Sequence, residues 1–327
     1  MKISIAMATY NGEKYLREQL ASFTTQTHQP DELVVCDDGS NDATVDILRQ
    51  FAASAPFEVS IHENETNLGY AKNFEKAMSL CSGDIVFLSD QDDVWFDSKL
   101  EDVLLFALTQ GLDASFLLLN DAVVVDAGLK QIGESHFQEV LGAGKDEDEL
   151  TLGCCMAMSR EFVQIALPFP VHVDGHDKWL SDVALFCGKK LLISKPLQYY
   201  RRYFGTVTKS SIYGRKGIFS KLSSLMLKVP WVADDQRSRG LMKKFRHYWC
   251  LSRRATRLSG CSNTTMAGFN AEYFESLREE YRFRVSLRRI SRWCRWYVIV
   301  RLFNFYTPLR GGRLRKVLVD LFDRAIA

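Results

Sequence analysis

Nowhere in its 327 residues does this chain run for the roughly 18 uncharged apolar positions that a membrane-crossing helix requires. The apolar stretch 3–8 behind Met1-Lys2 is too short for the core of an export signal, and no small-residue cleavage site follows it. No secretion signal is therefore expected. The eight cysteines, at 36, 81, 154, 155, 187, 250, 261 and 294, never take CxxC or CxxH spacing. That argues against a zinc site and a disulfide frame, and points to reduced, buried thiols in the cytosol. Neither common phosphate cradle, GxxxxGK(S/T) or GxGxxG, occurs. The net charge is small at +2, but it conceals an asymmetry. Residues 1–200 hold 14 Lys and Arg against 32 Asp and Glu, whereas residues 201–327 hold 28 against 8. An acidic part followed by a basic one predicts two regions, 1–210 and 211–327, that meet different partners.

What is present in the first region is a regular alternation. Apolar strand-like runs at 2–9, 32–36, 57–61 and 85–88 are separated by helical spacing at 14–25, 42–53 and 70–80. Ser40 or Asn41 stands ready to cap the second helix. Such units imply an α/β fold with a parallel sheet covered on both faces and right-handed crossovers. In such sheets ligands bind beyond the carboxyl ends of the strands. Three of those ends are polar here: Thr9-Tyr10-Asn11-Gly12, Asp37-Asp38-Gly39-Ser40 and Asp90-Gln91-Asp92-Asp93. The last places three carboxylates in four positions, a repulsion that folding does not need. Asp90 and Asp92 could share Mg²⁺ or Mn²⁺ through hard oxygen ligands. The alternative is an acidic turn capping the next helix, with Asp93 or Ser98 as N-cap. Further on, the pattern predicts a helix at 98–110, one or two strands in 114–126 broken at Asn120-Asp121, and a surface loop at 133–149. It then predicts a strand at 151–159, helices at 160–167 and 176–187, and a strand at 190–194. Long basic, aromatic helices follow residue 210.

The motifs Ala8-Thr9-Tyr10-Asn11-Gly12, Val35-Cys36-Asp37-Asp38-Gly39-Ser40-Asn41-Asp42 and Leu88-Ser89-Asp90-Gln91-Asp92-Asp93-Val94-Trp95 resemble those of family 2 glycosyltransferases, which have the GT-A fold. Asn67-Leu68-Gly69-Tyr70-Ala71-Lys72-Asn73-Phe74 and His176-Asp177-Lys178-Trp179 fit the same family in order, so the resemblance covers residues 1–210. The acid motif is most similar to that of bacterial O-antigen and capsule enzymes, rhamnosyltransferases among them. The resemblance implies a nucleotide-sugar donor bound by Thr9, Tyr10, Asn11, Glu13, Asp37, Asp38, Gly69, Lys72, Asp90 and Gln91. Asp38 would accept a pyrimidine N3–H, which favours a UDP- or dTDP-linked donor over a GDP-linked one. Lys72 would meet phosphate, or be a solvated helix lysine. Asp92, with Asp90, would hold the metal, and Asp93 would be either a carboxylate supporting them from behind or the helix cap. Asp177 would be the general base of an inverting displacement.

One departure stands out. Related sequences often continue Tyr-Arg-x-His-Gly, and Tyr203 stands where the His is expected in Tyr200-Arg201-Arg202-Tyr203. A phenol is a poor Mg²⁺ ligand, so either water and phosphate complete the metal or Arg201 and Arg202 supply positive charge to the diphosphate, with Tyr203 as a further diphosphate contact. Residues 205–217 suit a lid, or a linker.

Residues 243–315 interleave Arg with Trp, Tyr and Phe, as in Arg292-Trp293-Cys294-Arg295-Trp296-Tyr297. That mixture suits the surface of an anionic bilayer, where a lipid-linked glycan acceptor would be found. Nucleic acid is the rival partner for such a surface, but no nucleic-acid motif appears and the acidic region would repel a backbone. The expectation is an inverting, metal-dependent glycosyltransferase of surface-polysaccharide synthesis, peripheral at the inner face of the cytoplasmic membrane. The alternatives are a non-catalytic scaffold of the same fold and a sugar nucleotidyltransferase. The latter expects a Gly-rich basic loop after the first strand, which is not found here.

Overall fold

The computed structural model describes residues 1–110, 115–170, 173, 175–186 and 190–203. The expectations for the 205–217 lid and the basic helices beyond 210 lie outside the described residues. Cα proximity divides the chain into Met1–Phe169 with Gly175–Ile212, and Pro170–Asp174 with Tyr213–Ala327. The first unit is described below.

Its sheet begins with β1 (Ile3–Thr9), β2 (Glu32–Asp37), β3 (Glu58–Glu63) and β4 (Ile85–Ser89), ordered β3-β2-β1-β4 and all parallel. Nearly every residue of β1, β2 and β4 is buried, as expected of strands covered on both faces. The covering helices are α1 (Leu16–Thr24), α2 (Thr44–Ala52) and α3 (Tyr70–Leu80). Ile5, Leu33, Phe87, Leu20, Phe23 and Trp95 meet in one core, with Phe23 edge-on to Trp95 at 4.7 Å. Each such fully buried side chain contributes about 1.5–3 kcal/mol.

The second half of the sheet is mixed. After β5 (Val94–Trp95) and α4 (Lys99–Thr109) come β6 (Leu117–Val125) and β7 (Gln131–Ser135), then β8 (Met156–Ser159) and β9 (Lys190–Arg201). β8 joins β4 and β6 antiparallel, while β6 and β9 run parallel. The complete order is β3-β2-β1-β4-β8-β6-β9-β5, with β7 attached to β6.

Several elements differ from expectation. β6 is continuous: Asn120-Asp121 marks a register shift against β9 rather than a break. The same irregularity accommodates Pro196, paired with Asp121, so β9 runs on to Arg201 instead of stopping at 194. The stretch 133–149 is not a plain loop. It holds the end of β7, α5 (His136–Gly142) and a short 3₁₀ turn. Ser135 caps α5, its Oγ accepting from Gln138 N while its own N–H donates to Gln138 Oε1. The 151–159 strand is shorter, a turn at Gly153–Cys155 preceding β8. α6 (Arg160–Ala166) and α7 (His176–Phe186) form as expected. Neither Ser40 nor Asn41 caps α2, whose N-cap is Ala43.

At the amino ends of the strands, Glu32 ties three segments together. Its Oε1 accepts from Ser4 Oγ and Ser82 N, both at 2.5 Å, and its Oε2 from Ser82 Oγ at 2.8 Å and Lys2 Nζ at 3.2 Å. Burial pushes this carboxyl up, but the hydrogen bonds from Ser4, Ser82 and Lys2 outweigh it and hold the pKa at about 2. The folded value lies below the unfolded one, so the stabilisation is present above the ordinary value of 4.5 and is lost as pH falls through about 2. Glu32→Gln should lower stability at neutral pH by about 3 kcal/mol and flatten the acid limb of a urea-midpoint profile. An unchanged acid limb would contradict this role.

Candidate functional site

The register of the sheet aligns the predicted loops. Thr9 pairs with Asp37 and Met7 with Ser89, so β1, β2 and β4 end at one edge. There the first two loops interlock. Asn11 N–H donates to Ser40 Oγ at 2.8 Å, and Asn41 N–H to Asn11 Oδ1 at 2.8 Å. Gly12 N–H donates to Thr44 Oγ1 at 2.7 Å, while Glu13 exchanges backbone and carboxylate contacts with Asp42 and Ala43. Gln91 pairs with the backbone of Tyr10 in both directions, at 2.9 and 3.0 Å. A Cβ on Gly12 would overlap that Gln91 amide. The clamp leaves the Tyr10 ring exposed at the rim.

The two acids of the second loop take different partners. Asp37 is buried and accepts from Thr9 Oγ1 at 2.7 Å, Ser40 Oγ at 2.6 Å and the N–H groups of Gly39 and Ser40. It shapes the turn. Asp38 accepts from Asn64 Nδ2 at 2.9 Å, Leu68 N at 2.7 Å and Gly69 N at 2.8 Å, and so fastens the 64–69 segment. Gly69 has φ +80°, a left-handed conformation suited to glycine, and opens α3. Lys72 does not face the loops freely: its ammonium pairs with Glu75 at 2.6 Å and donates to Phe169 O at 3.1 Å.

The end of β4 carries the acids. Asp90 and Asp93 lie with the Cys154 thiol in one group whose oxygen and sulfur atoms fall within 4.8 Å of each other. Burial raises the Asp90 carboxyl well above its ordinary value, and Asp93, Asp92 and Asp177 raise it further. Burial and Asp92 push Asp93 up to about 7. Asp93 is not a helix cap. It is fully buried, its Oδ2 accepting from Gln198 Nε2 at 2.9 Å and its Oδ1 from Arg201 N at 3.1 Å. The N-cap of α4 is Ser98, without a side-chain cap bond. Beneath Asp93, Lys99 is completely buried, 3.9 Å from the Trp95 ring centroid, and donates to Cys154 O and Gln198 Oε1.

The end of β9 closes over the acids. Tyr203 donates its hydroxyl to Asp92 Oδ2 at 2.8 Å, and burial together with Asp92 keeps that phenol protonated. The expected diphosphate contacts Arg201 and Arg202 are engaged elsewhere. Because β9 extends to Arg201, this side chain is carried inward, where it donates to Asp92 O at 2.7 Å, Ala127 O at 2.5 Å and Glu18 Oε2 at 2.8 Å. Arg202 pairs with Glu139 of α5 at 2.7 Å.

α7 completes the group. Asp177 sits in its first turn, half-buried, with Oδ1 accepting from Lys178 N at 2.8 Å. His176 is buried, stacked on Phe74 at 4.1 Å and edge-on to Tyr70 at 5.8 Å. Burial lowers its pKa, so it is a neutral ring. The structure thus brings Thr9, Tyr10, Asn11, Glu13, Asp38, Asp90, Gln91, Asp92, Asp177 and Tyr203 to one edge. Sequence reasoning missed Asn64, Lys99, Cys154 and Gln198, whose spacing carries no local signal.

Residues 4–163 match the family model described as Glycosyl transferase family 2. EpsE of Bacillus subtilis strain 168 is 34% identical over 105 residues, 32% of this chain and 38% of that protein, so the chain spans well under two thirds of this relative. The Escherichia coli UDP-Glc:alpha-D-GlcNAc-diphosphoundecaprenol beta-1,3-glucosyltransferase WfgD is 27% identical over 180 residues, 55% of this chain and 68% of that one. Among solved structures, S. aureus TarS 1-349 in complex with UDP-GlcNAc superposes with a TM-score of 0.58 at 17% identity, covering 99% of this chain and 89% of that one. At that identity the likeness concerns the GT-A fold.

Asp38→Ala would strip Leu68 N of its acceptor and leave Gly69 N with Asn67 Oδ1 and Asn64 Nδ2 with Asn73 Oδ1 alone. We expect a stability loss of about 2–3 kcal/mol and faster hydrogen exchange at the Leu68 and Gly69 amides, measured by urea unfolding and exchange NMR. Unchanged exchange at those two amides would contradict the anchoring role.

Proposed function

Residues 4–163 of this chain belong to glycosyl transferase family 2, and from that premise we propose that it transfers a sugar, with inversion, from a nucleotide donor to a glycan acceptor. The observation that carries the reading is the meeting of Asp177 with the β4 acids, close enough that its charge raises the Asp90 carboxyl. A base and a leaving-group site must lie on either side of one anomeric carbon. Tyr10, exposed at the rim, is suited to stack on the nucleobase.

Asp177 accepts the proton of the acceptor hydroxyl while that oxygen bonds to the anomeric carbon. The bond from the same carbon to the diphosphate oxygen breaks on the opposite face, and its electron pair leaves with the nucleoside diphosphate. Tyr203 holds Asp92 in place during this exchange. The acids fit a divalent ion by their donor set. Asp90 is crowded by three negative neighbours, and Asp92 accepts from Tyr203 at its Oδ2, whereas both Asp93 oxygens are held by β9. Mg²⁺ or Mn²⁺ held by Asp90 and Asp92 would supply neutralisation of the departing diphosphate.

A pyrimidine diphosphate donor and a lipid-linked acceptor in bacterial surface-polysaccharide synthesis are the substrates we favour. The activity of the similar WfgD of Escherichia coli, glucosyl transfer from UDP-Glc onto a diphosphoundecaprenol-linked sugar, supports that choice. Such an acceptor would place the enzyme at the inner face of the cytoplasmic membrane, with the basic 211–327 region as its membrane contact. Among the described residues no helix is long and apolar enough to cross a membrane.

A screen of the purified chain against UDP-, dTDP- and GDP-sugars, with and without Mn²⁺, tests the activity. On the donor it selects, Asp177→Asn should reduce turnover by about 10²–10⁴-fold with donor affinity nearly unchanged. Full turnover in that variant would remove Asp177 from the role of base.

A further inference from the structure

A leaving diphosphate calls for a cation beside the acids, and most of the cations near this edge are already matched. Arg201 pairs with Glu18, Arg202 with Glu139, Lys72 with Glu75 and Lys178 with Asp182. Lys99 is buried beneath Asp93, bound to a carbonyl and an amide. Lys14 is different. It follows the β1 loop, is exposed, and its ammonium forms no hydrogen bond or ion pair with any of the described residues.

Its position is nevertheless defined. The Lys14 Nζ lies 4.8 Å from the centroid of the Tyr15 ring and 6.0 Å from that of Tyr203. Those two rings are themselves 4.9 Å apart, and the Tyr203 hydroxyl is the one that donates to Asp92. Aromatic faces attract an ammonium without neutralising it. The charge is thereby held beside the tyrosine that donates to Asp92, with no anionic partner among the described residues.

We propose that Lys14 is a diphosphate-binding residue, held on the Tyr15–Tyr203 pair until the nucleoside diphosphate portion of the donor arrives, and then donating to its phosphate oxygens. The proposal rests on the reading of this edge as a nucleotide-sugar site. It assigns to Lys14 the role that the sequence offered to Arg201 and Arg202. Tyr203 then serves twice, as the donor that fixes Asp92 and as the platform for Lys14. A lysine suits this task because its compact ammonium makes a point contact on a mobile stem.

The test is calorimetric titration of the full-length protein with UDP and with uridine, in the presence of Mg²⁺. Lys14→Met should weaken UDP by about tenfold or more, as expected for a lost charge-assisted hydrogen bond, and leave uridine unchanged. Lys14→Arg should restore most of the UDP affinity. Lys14→Gln serves as a second neutral variant should Lys14→Met lower the thermal midpoint. UDP affinity equal to wild type in both neutral variants would overturn the proposal and leave the nucleotide-site reading standing. If the wild-type protein binds none of UDP, dTDP and GDP, that reading falls and the role of Lys14 falls with it.

Discussion

Three carboxylates within four residues at the end of β4 repel one another, and burial strengthens the repulsion because little water remains to screen it. Their raised proton affinities express that cost: Asp93 is pushed to about 7 and Asp90 well above its ordinary value. A chain that keeps such a group needs scaffolding to hold the acids in place. Here the scaffolding comes mainly from β9. Gln198 and the Arg201 amide hold Asp93, the Arg201 guanidinium holds the Asp92 carbonyl, and the Tyr203 phenol holds its carboxylate. Lys99 adds a positive charge from below, steadied by the Trp95 face. The acids are thus divided by task. Asp93 is tied into the protein by Gln198 and Arg201, while on the proposed function Asp90 and Asp92 would meet an external partner.

The other loops serve the same edge by different means. Asp37 and Asp38 resemble a pair of binding acids, yet each is a hub of internal hydrogen bonds, Asp37 for its own turn and Asp38 for the 64–69 segment. The Gln91 clamp on Tyr10 couples the first loop to the acid motif itself. Residues next to one another in a motif therefore divide between building the cleft and facing it. On the proposed function, direct contact with a ligand would fall to fewer groups than the motifs suggest: Tyr10, Asp90, Asp92, Asp177 and, on the inference above, Lys14.

The fold of residues 1–110 was legible because fully buried strands write continuous apolar runs and their covering helices write a 3.6-residue period. α3 forms over the expected span. Legibility fell where the decisive partner lies far along the chain. Nothing near Asp93 announces Gln198, 105 positions away, whereas the start of α4 directly after it invites a capping reading. Pro196 argues locally for a strand end, but extra residues of β9 on either side of it bulge out of the pairing with β6 and let β9 continue, and that continuation buries Arg201. α5 had a readable signal in Ser135 and Gln138, overshadowed by the glycines and acids that follow. The site was legible in its members and less so in their duties, because hydrogen-bond partners decide the duties and local spacing does not report them.

The central claim is that the β4 acids, braced by β9, form a metal and diphosphate site with Asp90 and Asp92 as its open ligands. Electron paramagnetic resonance of free Mn²⁺ during titration with the full-length protein, with and without UDP, tests it most directly. The account predicts that UDP tightens Mn²⁺ binding by about tenfold or more, and that Asp90→Asn abolishes the effect while the protein stays folded. Mn²⁺ binding that is indifferent to UDP, or unaltered in Asp90→Asn, would contradict it.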